Sequence, residues 1–146
     1  MFGPHLMLDL YGCDKEKLAD VKFIHQVLDE LPDLLGMHKI MPPYVIPYPG
    51  SDKEDGFDKG GISGIVIIAE SHISVHTFVA QEYASFDIFS CKEFDVDGCV
   101  KMLSDAFGAK KIEKNFLMRG REFPKDIKKA TGIIKSQRKR FSFSCR

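Results

Sequence analysis

The sequence predicts an α/β chain of the α+β type, a two-layer sandwich whose mostly antiparallel sheet carries two helices on one face. Three observations carry that prediction. Residues 62–91 (ISGIVIIAESHISVHTFVAQEYASFDIFSC) read as three consecutive strands, and strands joined by corners this short run antiparallel. Two other segments place apolar residues at three- and four-residue spacing, the signature of amphipathic helices. The order strand–helix–strands–helix–strand within 146 residues fits one domain, and two helices cover one sheet face.

Residues 5–11 (HLMLDLY) alternate and read as the first strand. Asp14 then suits an N-cap for KEKLADVKFIHQVLDEL, in which Leu18, Val21, Ile24, Leu28 and Leu31 mark one helix face. Pro32 and Gly36 bring that helix to an end. Residues 38–48 hold three prolines, which fits an edge or irregular strand. Residues 49–61 form a polar loop with one aromatic, Phe57. Strands follow at about 62–69, 72–79 and 83–91, rich in Val, Ile, Thr and Phe. Asp95 caps a second helix with Val96, Val100, Leu103 and Phe107 on one face, and Gly108 suits its C-terminal end. Residues 109–118 read as a last strand. The pattern then fades, giving a single domain over 1–123 and a basic tail over 124–146.

At 44% hydrophobic the chain can fill one core. No apolar run is long enough to span a bilayer, and the first residues lack a signal-like pattern, so a cytoplasmic protein without membrane partners is expected. Cys13, Cys91, Cys99 and Cys145 form no C-x-x-C pair and are expected to be free thiols. Net charge is zero, yet residues 110–146 hold 13 of the 21 Lys and Arg and three of the 21 acids. A solvated tail is the reading preferred here. RKRFSF lacks a binding fold or repeated aromatics, and no nucleic-acid partner is expected.

Within 62–91 the chemistry-bearing side chains are Ser63, Ser71, His76 and Cys91, with Glu70-Ser71-His72 at the first corner. A hairpin cornered at Glu70-Ser71 pairs residue 63 near 78 and residue 65 near 76. Ser63 and His76 are then neighbours at one end, and Ser71 and Cys91 share the other. At about 3.3 Å per residue the two ends lie on the order of 15–20 Å apart. One chain struggles to assemble all four groups. A two-fold homodimer lays one end of each chain over the opposite end of its partner. Strands with apolar residues of both parities, such as Ile65 to Ile68, also favour a covered second face.

Taken singly, each residue has an ordinary explanation. Ser71 fits a turn, His72 and His76 a strand surface, Cys91 a core and Phe57 a loop anchor. His72 and His76 as a metal pair are excluded, because strand spacing holds them about 13 Å apart while a zinc–nitrogen bond is about 2 Å. No metal is expected. Jointly, the ordered set resembles the self-processing signature of the prokaryotic S-adenosylmethionine decarboxylase proenzymes, most strongly over 60–92 and more loosely over 5–123.

That resemblance implies cleavage before Ser71 into a β chain 1–70 and an α chain 71–146, with Ser71 becoming a covalent pyruvoyl group. Glu70 matches the residue left at the upstream C-terminus, Ser63 and His76 the processing serine and histidine, and Cys91 the catalytic acid. Phe57 matches the ring that stacks on adenine, and Tyr11 a second ring. The chemistry suits these residue types. A serine hydroxyl attacks the preceding carbonyl to give an ester, bases and donors assist, and His76 can take the alpha proton in the elimination. The substrate amine then forms a Schiff base with the pyruvoyl ketone, carbon dioxide leaves, and a thiol such as Cys91 returns a proton. The implied product, decarboxylated S-adenosylmethionine, feeds spermidine and other polyamine synthesis, and the implied assembly is a homodimer.

One departure matters. The family carries a Pro-Glu pair shortly after the His-Thr, and that glutamate binds the ribose hydroxyls. Here the segment reads His76-Thr77-Phe78-Val79-Ala80-Gln81-Glu82, with Ala80 at the glutamate position. Glu82, two residues on and expected on the same strand face, can stand in. The alternatives are a pyruvoyl-dependent arginine or ornithine decarboxylase of the same family, or a non-enzymatic dimeric α/β binding module with a basic tail, which predicts an intact chain.

Overall fold

The computed structural model describes residues 3–51 and 59–122; Phe57 and the basic tail lie outside the described residues. The described elements are β1 (Gly3–Tyr11), α1 (Lys15–Ala19), α2 (Val21–Leu34), β2 (Tyr44–Tyr48), β3 (Gly61–Ile68), β4 (Ser71–Phe78), β5 (Tyr83–Ser90), α3 (Val96–Phe107) and β6 (Lys111–Arg119). All six strands form one antiparallel sheet in the order β2-β3-β4-β5-β1-β6. The helices cover one face. Leu6, Leu8, Leu10, Val66, Ile73, Val75, Phe86 and Ile88 from the sheet meet Leu18, Ile24, Leu28, Leu31, Leu103 and Phe107 from the helices.

Three helices replace the expected two. The break falls at Asp20, which ends α1 and also caps α2, its carboxylate accepting from Lys22 and Phe23 N–H. Those N–H groups have no partner within a helix, so a side-chain acceptor there stabilises a new start. Val21, expected on the buried face, becomes the first residue of α2 and is exposed. Pro32 does not stop α2, which runs on to Leu34. Only the last residues are downstream of its missing N–H, and its own carbonyl accepts from Met37 N–H at 2.8 Å. Gly36, at φ 68°, then turns the chain away. Asp95 caps α3 and Gly108, at φ 63°, closes it, as the sequence predicts.

The hairpin register also differs from the expected one. The β3–β4 corner is the two-residue turn Ala69-Glu70, so Ile68 pairs with Ser71 and Ser63 lies directly opposite His76. The shift is two residues, which keeps every side chain on its expected face. Tight packing sets the sheet beneath α2: a Cβ on Gly64 would sit 2.6 Å from Leu28 Cδ1. Tyr44–Tyr48 is an edge strand, in line with its proline content.

The opposite sheet face carries no described helix. It presents Tyr44, Ile46 and Tyr48 of β2, Ile65 of β3 and Leu117 of β6, all substantially exposed. Among the described residues, no helix is long and apolar enough to cross a membrane.

Candidate active site

The β3–β4 turn is held in place by polar contacts to its backbone and to Glu70. His38 N–H donates to Glu70 Oε2 at 3.0 Å, and His38 Nδ1 lies 2.8 Å from Oε1. Burial pushes the Glu70 carboxyl up, but the His38 ring and backbone donors outweigh it, and the net pKa falls below the usual carboxylate value. The Glu70 carbonyl oxygen accepts the backbone N–H of Cys91 at 2.9 Å. A donor on that oxygen polarises the carbonyl carbon and would stabilise negative charge on the oxygen if that carbon were attacked.

Ser71 opens β4 opposite Ser90, and its Oγ lies 3.1 Å from His72 Nδ1. Cys91 follows β5 and is exposed at the same end of the sheet. Gly3 lets β1 start there, since a Cβ on it would meet Ser90 O at 1.9 Å and Cys91 Cα at 2.6 Å. The other two described cysteines are buried. Burial pushes the Cys13 thiol up to about 11 and the Cys99 thiol up to about 12. Both stay protonated and enclosed at neutral pH, which leaves Cys91 as the accessible thiol among the described residues.

The second cluster lies farther along β4, on the face away from the helices. Ser63 Oγ sits 2.9 Å from His76 Nδ1, and both residues are exposed. Tyr44, Ile46, Ile65 and Ser74 line a cavity of about 370 Å³ beside them. Beyond His76, Tyr11, Phe78 and Tyr83 form an aromatic wall around a second cavity of about 370 Å³. Tyr83 stands between the others, 5.2 Å from the Tyr11 ring and 5.6 Å from the Phe78 ring. Burial, then the hydrogen bond to Asp9, pushes the Tyr83 hydroxyl up to about 12, and the Tyr11 hydroxyl donates to Glu113 at 3.1 Å.

The structure thus brings together Glu70, Ser71 and Cys91 at one end and Ser63 with His76 at the other. The five-residue step from Ser71 to His76 along β4 spans about 17 Å. The placement of Glu82 departs from expectation. It belongs to the turn between β4 and β5 at φ 51°, so strand alternation does not assign its side chain a face. Its carboxylate lies 3.3 Å from Lys15 Nζ, and its carbonyl accepts Cys13 N–H. Sequence reasoning missed His38, for which no local signal exists. It also passed over Phe78 and Tyr83, whose alternation with core residues was visible, and His72, which ordinary alternation would have turned away from Ser71.

Residues 4–120 match the family described as S-adenosylmethionine decarboxylase. The chain belongs to that family. It is 32% identical over 138 residues to the S-adenosylmethionine decarboxylase proenzyme of Geobacillus sp. strain WCH70, covering 90% of this chain and 97% of that one. It is also 32% identical to the proenzyme of Clostridium botulinum strain Hall, over 82% of this chain and 95% of that one. The crystal structure of the adenosylmethionine decarboxylase from Aquifex aeolicus VF5 superposes with a TM-score of 0.66 at 26% identity, covering 82% of this chain and 91% of that one. The family match over residues 4–120 takes in both clusters.

Proposed function

We propose that the chain is a proenzyme that cleaves itself between Glu70 and Ser71 and then decarboxylates S-adenosylmethionine as a homodimer. The observation that carries the cleavage is the Glu70 carbonyl: it is held by Cys91 N–H and lies next to a serine hydroxyl already paired with an imidazole. Substrate identity rests on family membership.

A pyruvoyl group made from Ser71 supplies an electron sink for the electron pair left when carbon dioxide departs. Everything else is the work of the chain's own groups. Ser71 provides the hydroxyl, and Cys91 N–H steadies the charge on the Glu70 oxygen. His76, oriented by Ser63, takes the alpha proton of residue 71 when the ester is eliminated. The Cys91 thiol, exposed beside residue 71, returns a proton to the substrate carbon. The aromatic wall of Tyr11, Phe78 and Tyr83 offers flat surfaces for a purine, with Phe57 as the stacking ring the family resemblance adds.

Intact mass of the purified protein tests the first half, with chains of 70 and 76 residues expected. A panel of S-adenosylmethionine, arginine and ornithine, read by carbon dioxide release, tests the second. Release from arginine or ornithine in place of S-adenosylmethionine would overturn the substrate assignment.

Two substitutions separate the roles. Cys91→Ala keeps the backbone N–H that holds Glu70 O, so cleavage should proceed while turnover falls roughly 10²–10⁴-fold, the usual worth of a positioned proton donor. Unchanged turnover would remove Cys91 from the proton's path. Glu82 is proposed as the ribose ligand in place of Ala80. To serve, it must leave Lys15, and an exposed pair of this kind holds its partners weakly. Charge-assisted bonds to two hydroxyls contribute about 1.5–3 kcal/mol, so Glu82→Gln should raise KM about tenfold or more with kcat and self-cleavage little changed. An unaltered KM would leave the ribose without this grip.

A further inference from the structure

The self-cleavage reading leaves open which group removes the Ser71 hydroxyl proton in the first step. Within one protomer His76 is bonded to Ser63 and lies about 17 Å along β4 from Ser71, so in the proposed dimer it would reach Ser71 only from across the interface. His72 is different: its Nδ1 is the described imidazole nitrogen on Ser71 Oγ, at 3.1 Å. Neighbours on a regular strand point to opposite faces, but Ser71 opens the strand directly after the turn, with φ 157°, and its hydroxyl meets the adjacent ring.

We infer that His72 is the general base, and then the general acid, of the first step of self-cleavage. Its imidazole takes the Oγ proton as Oγ bonds to the Glu70 carbonyl carbon. The oxyanion forms against Cys91 N–H. Collapse breaks the bond from Glu70 carbon to Ser71 nitrogen, and the same proton passes from His72 to that nitrogen. The product is an ester with a free amine, and no co-reactant is consumed. His76 is left for the later elimination, so the two histidines serve two steps.

The surroundings of His72 fit this role. Its ring stands edge-on to Phe89 at 5.9 Å. Phe89 in turn contacts His5, at 5.5 Å, and the Arg119 guanidinium, at 4.2 Å. His5 Nε2 lies 3.0 Å from Asp87 Oδ1. The charged and titratable groups around the ring are thus His5 from β1, Asp87 from β5 and Arg119 from β6. Burial pushes the His72 pKa down; His5 and Arg119 push it the same way and Asp87 opposes. The ring is therefore unprotonated at neutral pH and ready to accept. The Oγ proton donates to Nδ1 when the ring's own proton is on Nε2.

The inference rests on the self-cleavage reading, and one time course of cleavage by intact mass distinguishes the two. Wild type that never cleaves sinks that reading. If wild type cleaves, its rate should fall as pH drops through the lowered His72 pKa, because the protonated ring cannot accept. His72→Ala and His72→Gln should both cleave roughly 10²–10⁴-fold more slowly, the range for a lost general base. Both should lose that acid limb, and added imidazole should restore cleavage in His72→Ala. Wild-type rates in either variant would overturn the inference. So would slow cleavage that keeps the wild-type pH profile and ignores imidazole, since that outcome assigns His72 a packing role.

Discussion

Ser71→Ala should give a single chain of 146 residues and no carbon dioxide release. Cleavage needs an oxygen nucleophile on residue 71, and alanine has none. On the proposed mechanism catalysis also needs a carbonyl group derived from that side chain, so the expected loss is complete and not a matter of degree. The variant should still fold. Ser71 lies at the strand end, and its hydroxyl bonds to the adjacent His72 ring, which is only half-buried. Removing one such hydrogen bond costs about 0.5–1.5 kcal/mol. The turn keeps its other ties, from His38 to Glu70 and from Cys91 N–H to Glu70 O. Intact mass and a thermal melt on the same sample check both halves. Two chains from the variant would move the scissile bond away from Glu70-Ser71. A collapse of the melt would show that the hydroxyl is structural.

The parts of this fold that sequence made legible are those decided locally. Asp14, Asp95 and Gly108 act as caps because their partners lie within a few residues. The three strands of 62–91 stand within one or two residues of their expected ends, because β-branched runs and short corners leave few options. Asp20 shows where local reasoning slips. Its helical spacing looked continuous, yet a carboxylate able to serve two N–H groups splits the helix. The strand order was not legible. The insertion of β1 between β5 and β6 is a long-range pairing with no signature in either segment.

The site divides the same way. Ser63, Ser71, His76 and Cys91 are chemical side chains at fixed offsets, so a string of letters displays them. The groups that hold Glu70 are less visible. One is a backbone N–H, which every residue but proline has, and another is His38, thirty-two positions away from Glu70. A two-residue error in register left Ser63 and His76 as near neighbours, where the structure pairs them directly. The strand face expected for Glu82 slipped for a related reason. Alternation was extended past the end of β4, where the chain had already turned.

Mixing two inactive chains should restore cleavage. On the proposed mechanism His76→Ala keeps Ser71 but lacks the base for elimination, and Ser71→Ala keeps that base but has nothing to cleave. Within one protomer Ser71 and His76 are about 17 Å apart on a single strand, and a strand cannot fold back to close that gap. The sheet face that carries no described helix holds Ser63 and His76 among exposed Tyr44, Ile46, Tyr48 and Ile65, an apolar surface suited to a second sheet. A two-fold axis through that face would lay each His76 over the partner's Ser71. In the mixed dimer the His76→Ala chain should then be cut into two pieces, while the Ser71→Ala chain stays whole. Different tags on the two chains let intact mass assign the fragments. Each variant alone should stay uncut, His76→Ala stalling at the ester, which hydroxylamine would open. A verified mixed dimer that yields no fragments would place every group needed for cleavage within one chain. The two-step division between His72 and His76 would then need a rearrangement of β4 that its pairing on both sides opposes.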